Sequence, residues 1–215
     1  MTCQHCCDAN MIFDIKNAKK ELKRYKKKGA IGVTRKLIAA MATLPKQDKT
    51  LLDIGGGIGA LQWYFLENGG AQTTDIDGSA GYLQVAQEYA TEKDFLNKAT
   101  FSEGDVNDLI MEMDKRDFVT LDKVVCCYPD YQLILNNAIS TCNEYLALTF
   151  PMSNFISRAL NKMGRIYFWI KKSEFKTYIH SNQSIEQLIE SKGFTPIHKS
   201  IKFPWRVRVY QRVQR

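Results

Sequence analysis

A glycine-rich stretch behind an acidic residue is the first part of the sequence whose residue types suit chemistry. The run LLDIGGGIGAL (51–61) places Gly55, Gly57 and Gly59 after Asp53, in the spacing D-x-G-x-G-x-G. Without Cβ atoms the backbone can turn tightly and approach a ligand closely, and the helix predicted to follow presents free N–H groups. No lysine follows Gly59, so a phosphate-binding G-K-[ST] loop is excluded. A dinucleotide site and a tight turn without a ligand both remain open.

Further acids stand at the ends of the next two predicted strands. Asp75 and Asp77 lie at the end of the second, and Asp105 ends the third. Ligands of open parallel sheets bind beyond the carboxyl ends of the strands, where a carboxylate can accept both hydroxyls of a ribose. Asp53, Asp77 and Asp105 together suit a ligand with an amino group, a ribose and an adenine. They suit a pyrophosphate badly, because like charges repel.

Alternating strands and helices must position these acids. Strands are predicted over 49–54, 71–77 and 99–105, within 117–127, and over 144–150, with helices over 58–70, 79–93, 106–113 and 130–142. Such alternation requires crossover connections, so an α/β fold with a mainly parallel sheet and helices on both faces is expected.

Both ends of the chain depart from this alternation. Two helices are predicted between residues 14 and 44, broken near Gly29. The tail predicts helices over 152–171 and 184–192, an extended piece over 175–179, and two strands, 194–202 and 205–213. The strands are separated by Phe203-Pro204, so we expect an antiparallel hairpin.

Over about residues 49–150 the chain resembles the class I S-adenosylmethionine (SAM)-dependent methyltransferases. The resemblance is carried by four segments in this order: LLDIGGGIG, TDIDGSAGYL, SEGDV and FVTLDKVVCC. The hairpin at 194–213 is similar to the antiparallel end of that fold. The resemblance implies a Rossmann-like seven-stranded sheet, mainly parallel with an antiparallel last strand, and SAM as the cofactor.

The resemblance also implies roles for the acids. Asp53 and the glycine loop would hold the methionine part of SAM, and Asp77 the ribose, with Asp75 as the competing candidate. Asp105 and the Val106 amide would bind the adenine. The predicted cofactor-binding residues are Asp53, Ile54, Gly55, Gly56, Gly57, Gly59, Asp77, Gly78, Asp105, Val106 and Asp122.

Candidates for the acceptor side come mainly from the end of the fourth strand, where the family performs its chemistry. Methyl transfer is an in-line attack on a reactive methyl group, so the protein positions the acceptor and manages its proton. The stretch LDKVVCCYPD (121–130) lacks the [DNS]-P-P-[YFW] motif of nucleic-acid amino methyltransferases. Histidine is a candidate general base because its pKa lies near neutrality. The predicted catalytic residues are Asp122, Lys123, Tyr128, His180 and Tyr25.

The helices before the first strand are expected to cover the cofactor. Residues 1–44 are predicted as an N-terminal helical lid, similar to lids of small-molecule methyltransferases and faintly to that of the magnesium-protoporphyrin O-methyltransferases. Residues 45–215 are predicted as the methyltransferase domain, with a helical insert at about 152–180 that forms another wall of the pocket.

The cysteines allow two interpretations each. Cys126 and Cys127 fit core packing, or a covalent adduct with a pyrimidine acceptor. The motif CQHCC provides Cys3, His5, Cys6 and Cys7, the spacing of half a zinc site, but no second half lies nearby. No metal is predicted.

Composition and charge indicate where the protein is located and which kinds of partner it could bind. The chain has 45% hydrophobic and 25% charged residues and a net charge of +7. No apolar run approaches the roughly 20 residues of a membrane-spanning helix, and no secretory signal is recognisable, so a cytoplasmic protein is expected. Residues 16–36 carry ten Lys and Arg against one acid, and residues 199–215 carry six and none. Solvated faces or an anionic partner would explain these basic ends.

The sequence therefore predicts a SAM-dependent methyltransferase that methylates a small acidic or aromatic molecule at oxygen. The alternatives are an RNA methyltransferase that uses the basic ends, a SAM-binding protein without catalysis, and a NAD-dependent oxidoreductase. Nucleic acid is thus a possible partner but not the favoured one, and the oligomeric state is not predicted.

Overall fold

A computed structural model describes residues 13–110, 113–170 and 176–213, with the backbone alone for 166–170. The predicted half zinc site from Cys3 to Cys7 lies outside the described residues. Within those residues, no helix is long and apolar enough to cross a bilayer.

A single seven-stranded sheet confirms the predicted fold class. Its order is β3-β2-β1-β4-β5-β7-β6, with β7 antiparallel to both of its neighbours. The first five strands, which run parallel to one another, place their carboxyl ends at one edge. The strands are β1 (Thr50–Ile54), β2 (Gln72–Asp77), β3 (Ala99–Glu103), β4 (Arg116–Asp122), β5 (Cys142–Pro151), β6 (Phe194–Lys202) and β7 (Trp205–Arg212).

Helices cover both faces of the sheet. Those in the described residues are α1 (Ile15–Lys28), α2 (Gly32–Met41), α3 (Ala60–Glu67), α4 (Ala80–Glu92), α5 (Val106–Leu109), α6 (Tyr131–Ser140), α7 (Phe155–Ile170) and α8 (Asn182–Ser191). Apolar residues of α1 to α4 pack on one face, and those of α5, α6 and α8 pack on the other.

The alternation along β1 decides which face carries the first acid. Successive strand residues point to opposite faces, and Leu51 packs with α2 and α3 while Leu52 and Ile54 pack with α6 and α8. Asp53 therefore shares the face of Leu51. In register beside it stand Asp75 of β2 and Thr120 of β4.

Some element boundaries differ from the sequence expectation. Helix α5 has four residues, and Val125–Cys127 form a single 3-10 turn after β4. Strand β7 lies between β5 and β6, and its residues 207–210 are all buried, so both of its faces are covered there. Its buried residues consequently include Arg208, which is 4% exposed and pairs with Glu186 of α8 at 2.7 Å.

The N-terminal helices pack as part of the α1–α4 layer. Ala18 and Leu22 of α1 are buried against α4, while Val33, Leu37 and Met41 of α2 are buried beside β5 and β7. The Asp14 side chain caps α1 by accepting from the Asn17 N–H at 2.7 Å. The division into a helical lid over residues 1–44 and a methyltransferase domain over 45–215, with an insert at about 152–180, stays a prediction.

Candidate active site

A cleft of about 400 Å³ opens at the carboxyl edge of the parallel strands. The loops after β1, β2, β3 and β4 line it, together with side chains that precede or belong to α1 and α2. Most of the predicted cofactor residues converge here, namely Asp53, Ile54, Gly55, Gly56, Gly57, Asp77, Gly78, Val106 and Asp122. Gly59 and Asp105 adjoin the cleft in sequence but do not line it.

The glycine loop after β1 needs its glycines. Gly55, Gly57 and Gly59 have φ values of 64°, 60° and 79°, which side-chain-bearing residues rarely adopt. A Cβ on Gly55 would stand 2.6 Å from Val124, and one on Gly59 would stand 2.4 Å from the Trp63 ring. The loop therefore fits closely between the segment that follows β4 and helix α3, and its glycines 55–57 line the cleft.

Asp53 points a buried carboxylate into the cleft. It is 1% exposed, and its Oδ1 accepts from the Thr120 hydroxyl at 2.6 Å. Its Oδ2 has no hydrogen-bond partner among the described residues. Burial raises the pKa of Asp53 to about 7, against the Thr120 hydrogen bond and with the help of the nearby Asp122 and Asp77 carboxylates. A cationic amino group would suit this oxygen, because the two could form a charge-assisted hydrogen bond.

Asp77 and Asp75, the two candidates for the ribose, have different surroundings. Asp77 lines the cleft and accepts from the Gly57 N–H at 3.0 Å and the Ser79 N–H at 2.8 Å. Asp75 is fully buried beneath the loop, where Gln62 and the Gly56 N–H donate to it at 2.7 and 3.1 Å. Burial raises the pKa of both carboxyls. Asp77 is thus the candidate that reaches the cleft, and Asp75 supports the loop.

The loop after β3 brings backbone rather than a carboxylate to the cleft. Gly104 and Val106 line it. The Asp105 side chain instead caps α5 by accepting from the Asn107 N–H at 2.9 Å, and it also accepts from the Tyr128 hydroxyl at 3.3 Å. An adenine amino group would therefore share Asp105 with these two donors.

Asp122 lies at the centre of a small polar network. Its Oδ1 accepts from the Thr149 hydroxyl at 2.6 Å and its Oδ2 from the Thr34 hydroxyl at 2.5 Å. The ammonium of Lys123 lies 3.4 Å from the same Oδ2, and this side chain is 42% exposed. Thr34 and Thr149 were not singled out from the sequence, since threonines in a helix and a strand carry no motif.

Tyr128 lines the cleft, whereas His180 lies behind it. The Nε2 atom of His180 is 2.9 Å from the Tyr128 carbonyl oxygen, and its ring lies against Tyr131 and Tyr178. Burial lowers the pKa of His180. The structure thus places this histidine as a support for the Tyr128 segment, away from an acceptor in the cleft.

Tyr25 also lies away from the cleft. Its ring packs edge-on against Tyr89, and burial raises its pKa to about 12. The segment brings two other residues to the cleft, Phe13 and Glu21, and Glu21 accepts from the Tyr82 hydroxyl at 3.1 Å. Phe13, just before a lysine-rich helix, and Glu21, within it, belong to no motif that predicts this position.

The cysteine pair after β4 lines the acceptor end. The Sγ atoms of Cys126 and Cys127 lie 3.3 and 3.6 Å from the Lys123 carbonyl oxygen, to which both can donate. The hydrogen bond with Cys127 and burial raise the pKa of Cys126 well above its ordinary value. A protonated thiol is a weak nucleophile, so this geometry favours packing. Among the described residues, no His, Cys, Asp and Glu cluster has the arrangement of a metal site.

The residues present fit SAM as a ligand. The unpartnered oxygen of Asp53 suits the amino group of the methionine part, and Asp77 suits the ribose hydroxyls. The bare glycine loop leaves the space that Cβ atoms would fill.

Comparison with known proteins agrees with this fit. The family described as "Methyltransferase domain" matches residues 51–145, which include every loop of the glycine and acidic cluster. None of the curated proteins compared with the chain matches it.

Solved structures share the fold at low identity. Magnesium protoporphyrin IX methyltransferase from Synechocystis PCC 6803, with SAH bound, has a TM-score of 0.69 at 20% identity, covering 84% of this chain and 82% of that chain. A complex of the Haloferax volcanii Trm112 methyltransferase activator with a methyltransferase has a TM-score of 0.69 at 14% identity, covering 94% of this chain and 95% of that chain. The mitomycin 7-O-methyltransferase has a TM-score of 0.61 at 16% identity, covering 84% of this chain and 54% of that chain.

The domain match over residues 51–145, the strand order and the cleft at the switch in that order agree with one another. Together they show a Rossmann-like methyltransferase fold with a match to the methyltransferase domain over residues 51–145.

Proposed function

We propose that this methyltransferase transfers the methyl group of SAM to an oxygen of a small, partly apolar acceptor that carries an acidic group. The observation that carries the proposal is the composition of the cleft around the end of β4. There the half-exposed Lys123 side chain lines the cleft together with Val124, Tyr128 and Trp205. An acceptor with an apolar body and a carboxylate would match both features.

SAM supplies an already reactive methyl group, so the protein's contribution is to bind and orient. In this proposal Asp53 holds the amino group, Asp77 the ribose, and the Val106 N–H with Asp105 the adenine. Lys123 would pair with the acceptor carboxylate. Asp122, fixed by Thr34 and Thr149, would keep the Lys123 ammonium in place.

Support for oxygen as the methylated atom comes from the fold neighbours. The mitomycin 7-O-methyltransferase is named for transfer to oxygen, and the protoporphyrin enzyme is named for magnesium protoporphyrin IX. At such low identity these names only indicate which acceptors to test first.

Cofactor binding is the first experiment. Calorimetric titration with SAM, S-adenosylhomocysteine and NAD should show saturable binding of the first two alone. Asp77→Asn should weaken SAM binding by about 2 kcal/mol, about thirtyfold, because an amide replaces a charged acceptor. Asp108→Asn, at an exposed acid outside the cleft, is the matched control. NAD binding alone would refute the proposal, and unchanged SAM affinity in Asp77→Asn would refute the ribose assignment.

Acceptor chemistry is tested with labelled SAM. Transfer to aromatic carboxylates should exceed transfer to their amides, and Lys123→Met should remove that preference while leaving SAM binding intact. Equal transfer to acid and amide would refute the role given to Lys123. SAM binding without transfer to any acceptor would favour a binding protein that lacks catalysis.

An RNA acceptor is the second candidate, because Lys and Arg are concentrated in residues 16–36 and 199–215. Binding through phosphates would weaken steeply as salt rises. Methylation of RNA at low salt, lost with added salt, would favour this candidate over the small molecule.

A further inference from the structure

Helix α7 presents an apolar face to solvent. Phe155 is 84% exposed and Met163 is 66% exposed, and Ile156 and Leu160 lie between them at 56% and 46%. At about 100° per residue, these four side chains fall within an arc of about 140° on the helix. We call them the α7 apolar face. Ordinary surface helices turn such a face inward, so this orientation requires a reason.

The apolar side of α7 faces solvent because the helix packs on the protein through its other side. Its inner side carries small and polar residues, among them the buried Ser157 and the half-buried Asn161. The Asn161 amide donates to the Thr177 carbonyl at 3.1 Å and accepts from the Thr177 hydroxyl at 2.5 Å. These bonds fix the rotation of the helix, so its apolar side points away from the protein.

The charges of α7 distinguish among partners. Arg158, Lys162 and Arg165 occupy an arc of about 60° beside the α7 apolar face, and residues 152–173 contain no acid. A basic side next to exposed aromatic and aliphatic residues is typical of helices that lie in the plane of a membrane interface. A nucleic acid would meet the cations but leave the aliphatic side chains without a partner.

The same surface adjoins the cleft. Thr177, which is bonded to α7, lines the cleft. The N–H of Met152, just before α7, donates at 2.8 Å to the carbonyl of Pro204, in the turn that carries the exposed Phe203. Trp205, next in sequence, lines the cleft. The apolar surface and the acceptor end of the cleft are therefore neighbours.

We propose that the α7 apolar face docks on an anionic lipid surface, and that the acceptor reaches the cleft from that surface. The docking is peripheral, with Phe155 and Met163 inserted among the lipid chains and the three basic residues at the headgroups. The route of the acceptor rests on the proposed function, whereas the docking itself does not.

Flotation with vesicles tests the docking. The full chain should float with vesicles of mixed phosphatidylcholine and phosphatidylglycerol, and much less with phosphatidylcholine alone. The double variant Phe155→Ser, Met163→Ser should bind about tenfold more weakly, since two apolar anchors are lost. Its matched control is Leu96→Ser, at another exposed apolar residue. Arg158→Gln with Lys162→Gln should weaken binding to anionic vesicles, whereas Lys98→Gln with Lys115→Gln should leave it unchanged.

Absence of flotation at low salt, or flotation that the double variant leaves intact, would overturn the inference. The alternative partner of the α7 apolar face is a second copy of this chain, and light scattering of the free protein tests it. A dimer that the double variant converts to a monomer would assign the face to that second copy and overturn the docking on lipid. Calorimetry with SAM on every variant separates the two proposals. Failure to float with normal SAM binding overturns the docking alone, and loss of SAM binding in the unaltered protein overturns the proposed function.

Discussion

Asp53 combines burial, a hydroxyl partner on one oxygen and an unpartnered second oxygen. Its pKa in the folded chain is about 7, above the ordinary 3.8. Between these values the folded state keeps a proton that the unfolded state has released. The carboxyl group therefore destabilises the fold increasingly as pH rises from about 4 to about 7. A cation that pairs with the ionised form would offset this cost.

This gives a pH-dependent prediction for the cofactor. If the amino group of SAM pairs with ionised Asp53 as proposed, SAM affinity should rise about tenfold between about pH 6 and pH 7.5. Asp53→Asn should bind weakly at both values, while its unfolding midpoint without ligand stays equal or rises, since a buried charge is removed. Titration calorimetry and thermal unfolding measure the two effects. A flat affinity profile in the unaltered protein would contradict the role given to Asp53.

The cysteine pair after β4 gives a second prediction about single residues. Cys126 is buried and protonated, and it donates to the Lys123 carbonyl. Cys126→Ser should keep methyl transfer within about threefold, because the hydroxyl can make the same hydrogen bond, whereas loss of a covalent nucleophile costs orders of magnitude. Cys127→Ser provides the parallel measurement. A loss of a thousandfold in the Cys126 variant alone would restore the covalent interpretation.

At the scale of elements, the turn between β1 and α3 is the most constrained part of the site. The positive φ angles and the approach of Trp63 and Val124 exclude side chains there. This turn also orients the N–H groups of Gly56 and Gly57 toward Asp75 and Asp77. The loop and the two acids consequently stabilise one another.

Substitution of Gly59 tests this constraint. Gly59→Ala places a methyl group 2.4 Å from the Trp63 ring at a φ of 79°. We expect a loss of about 3 kcal/mol in the free energy of unfolding, from backbone strain together with the clash. Gly193→Ala has a similar φ of 83° and nothing within 4 Å, so it should lose only about 1 kcal/mol. Equal losses in urea unfolding would show that the ring contact contributes nothing.

Across the whole molecule, the N-terminal segment contributes to a site built mainly by residues 51–145. The Thr34 hydroxyl of α2 donates to Asp122 at the end of β4. Glu21 of α1 accepts a hydrogen bond from the Tyr82 hydroxyl of α4. Two hydrogen bonds therefore connect the segment to the cleft. Their partners are 88 residues apart in sequence in the first and 61 residues apart in the second.

Breaking one of these ties has a predictable effect. Thr34→Val preserves the shape of the side chain and removes the hydrogen bond to Asp122. We expect a loss of about 1 kcal/mol in stability and a severalfold lower rate of methyl transfer, because Lys123 loses a fixed neighbour. Thr91→Val, on an exposed helix surface, is the control. Rates and melting temperatures that match the control would remove α2 from the site.

The sequence determined the α/β class, the strands that alternate with helices, and the convergence of the glycine loop with the acids at one edge. These follow from local patterns, because periodic apolar residues and strand-end positions constrain the topology. The resemblance favoured Asp77 over Asp75 for the ribose. Only the structure shows that Asp77, two residues further along β2, lines the cleft while Asp75 is buried.

Only the tertiary structure decided which residues outside these patterns meet the cleft. It brought Thr34, Thr149 and Glu21 to the site and directed Tyr25 and His180 elsewhere, because helix rotation depends on the packing of distant side chains. It also turned the apolar side of α7 outward, since the hydrogen bonds of Asn161 with Thr177 fix that helix. Hydrophobic periodicity alone would have buried that side.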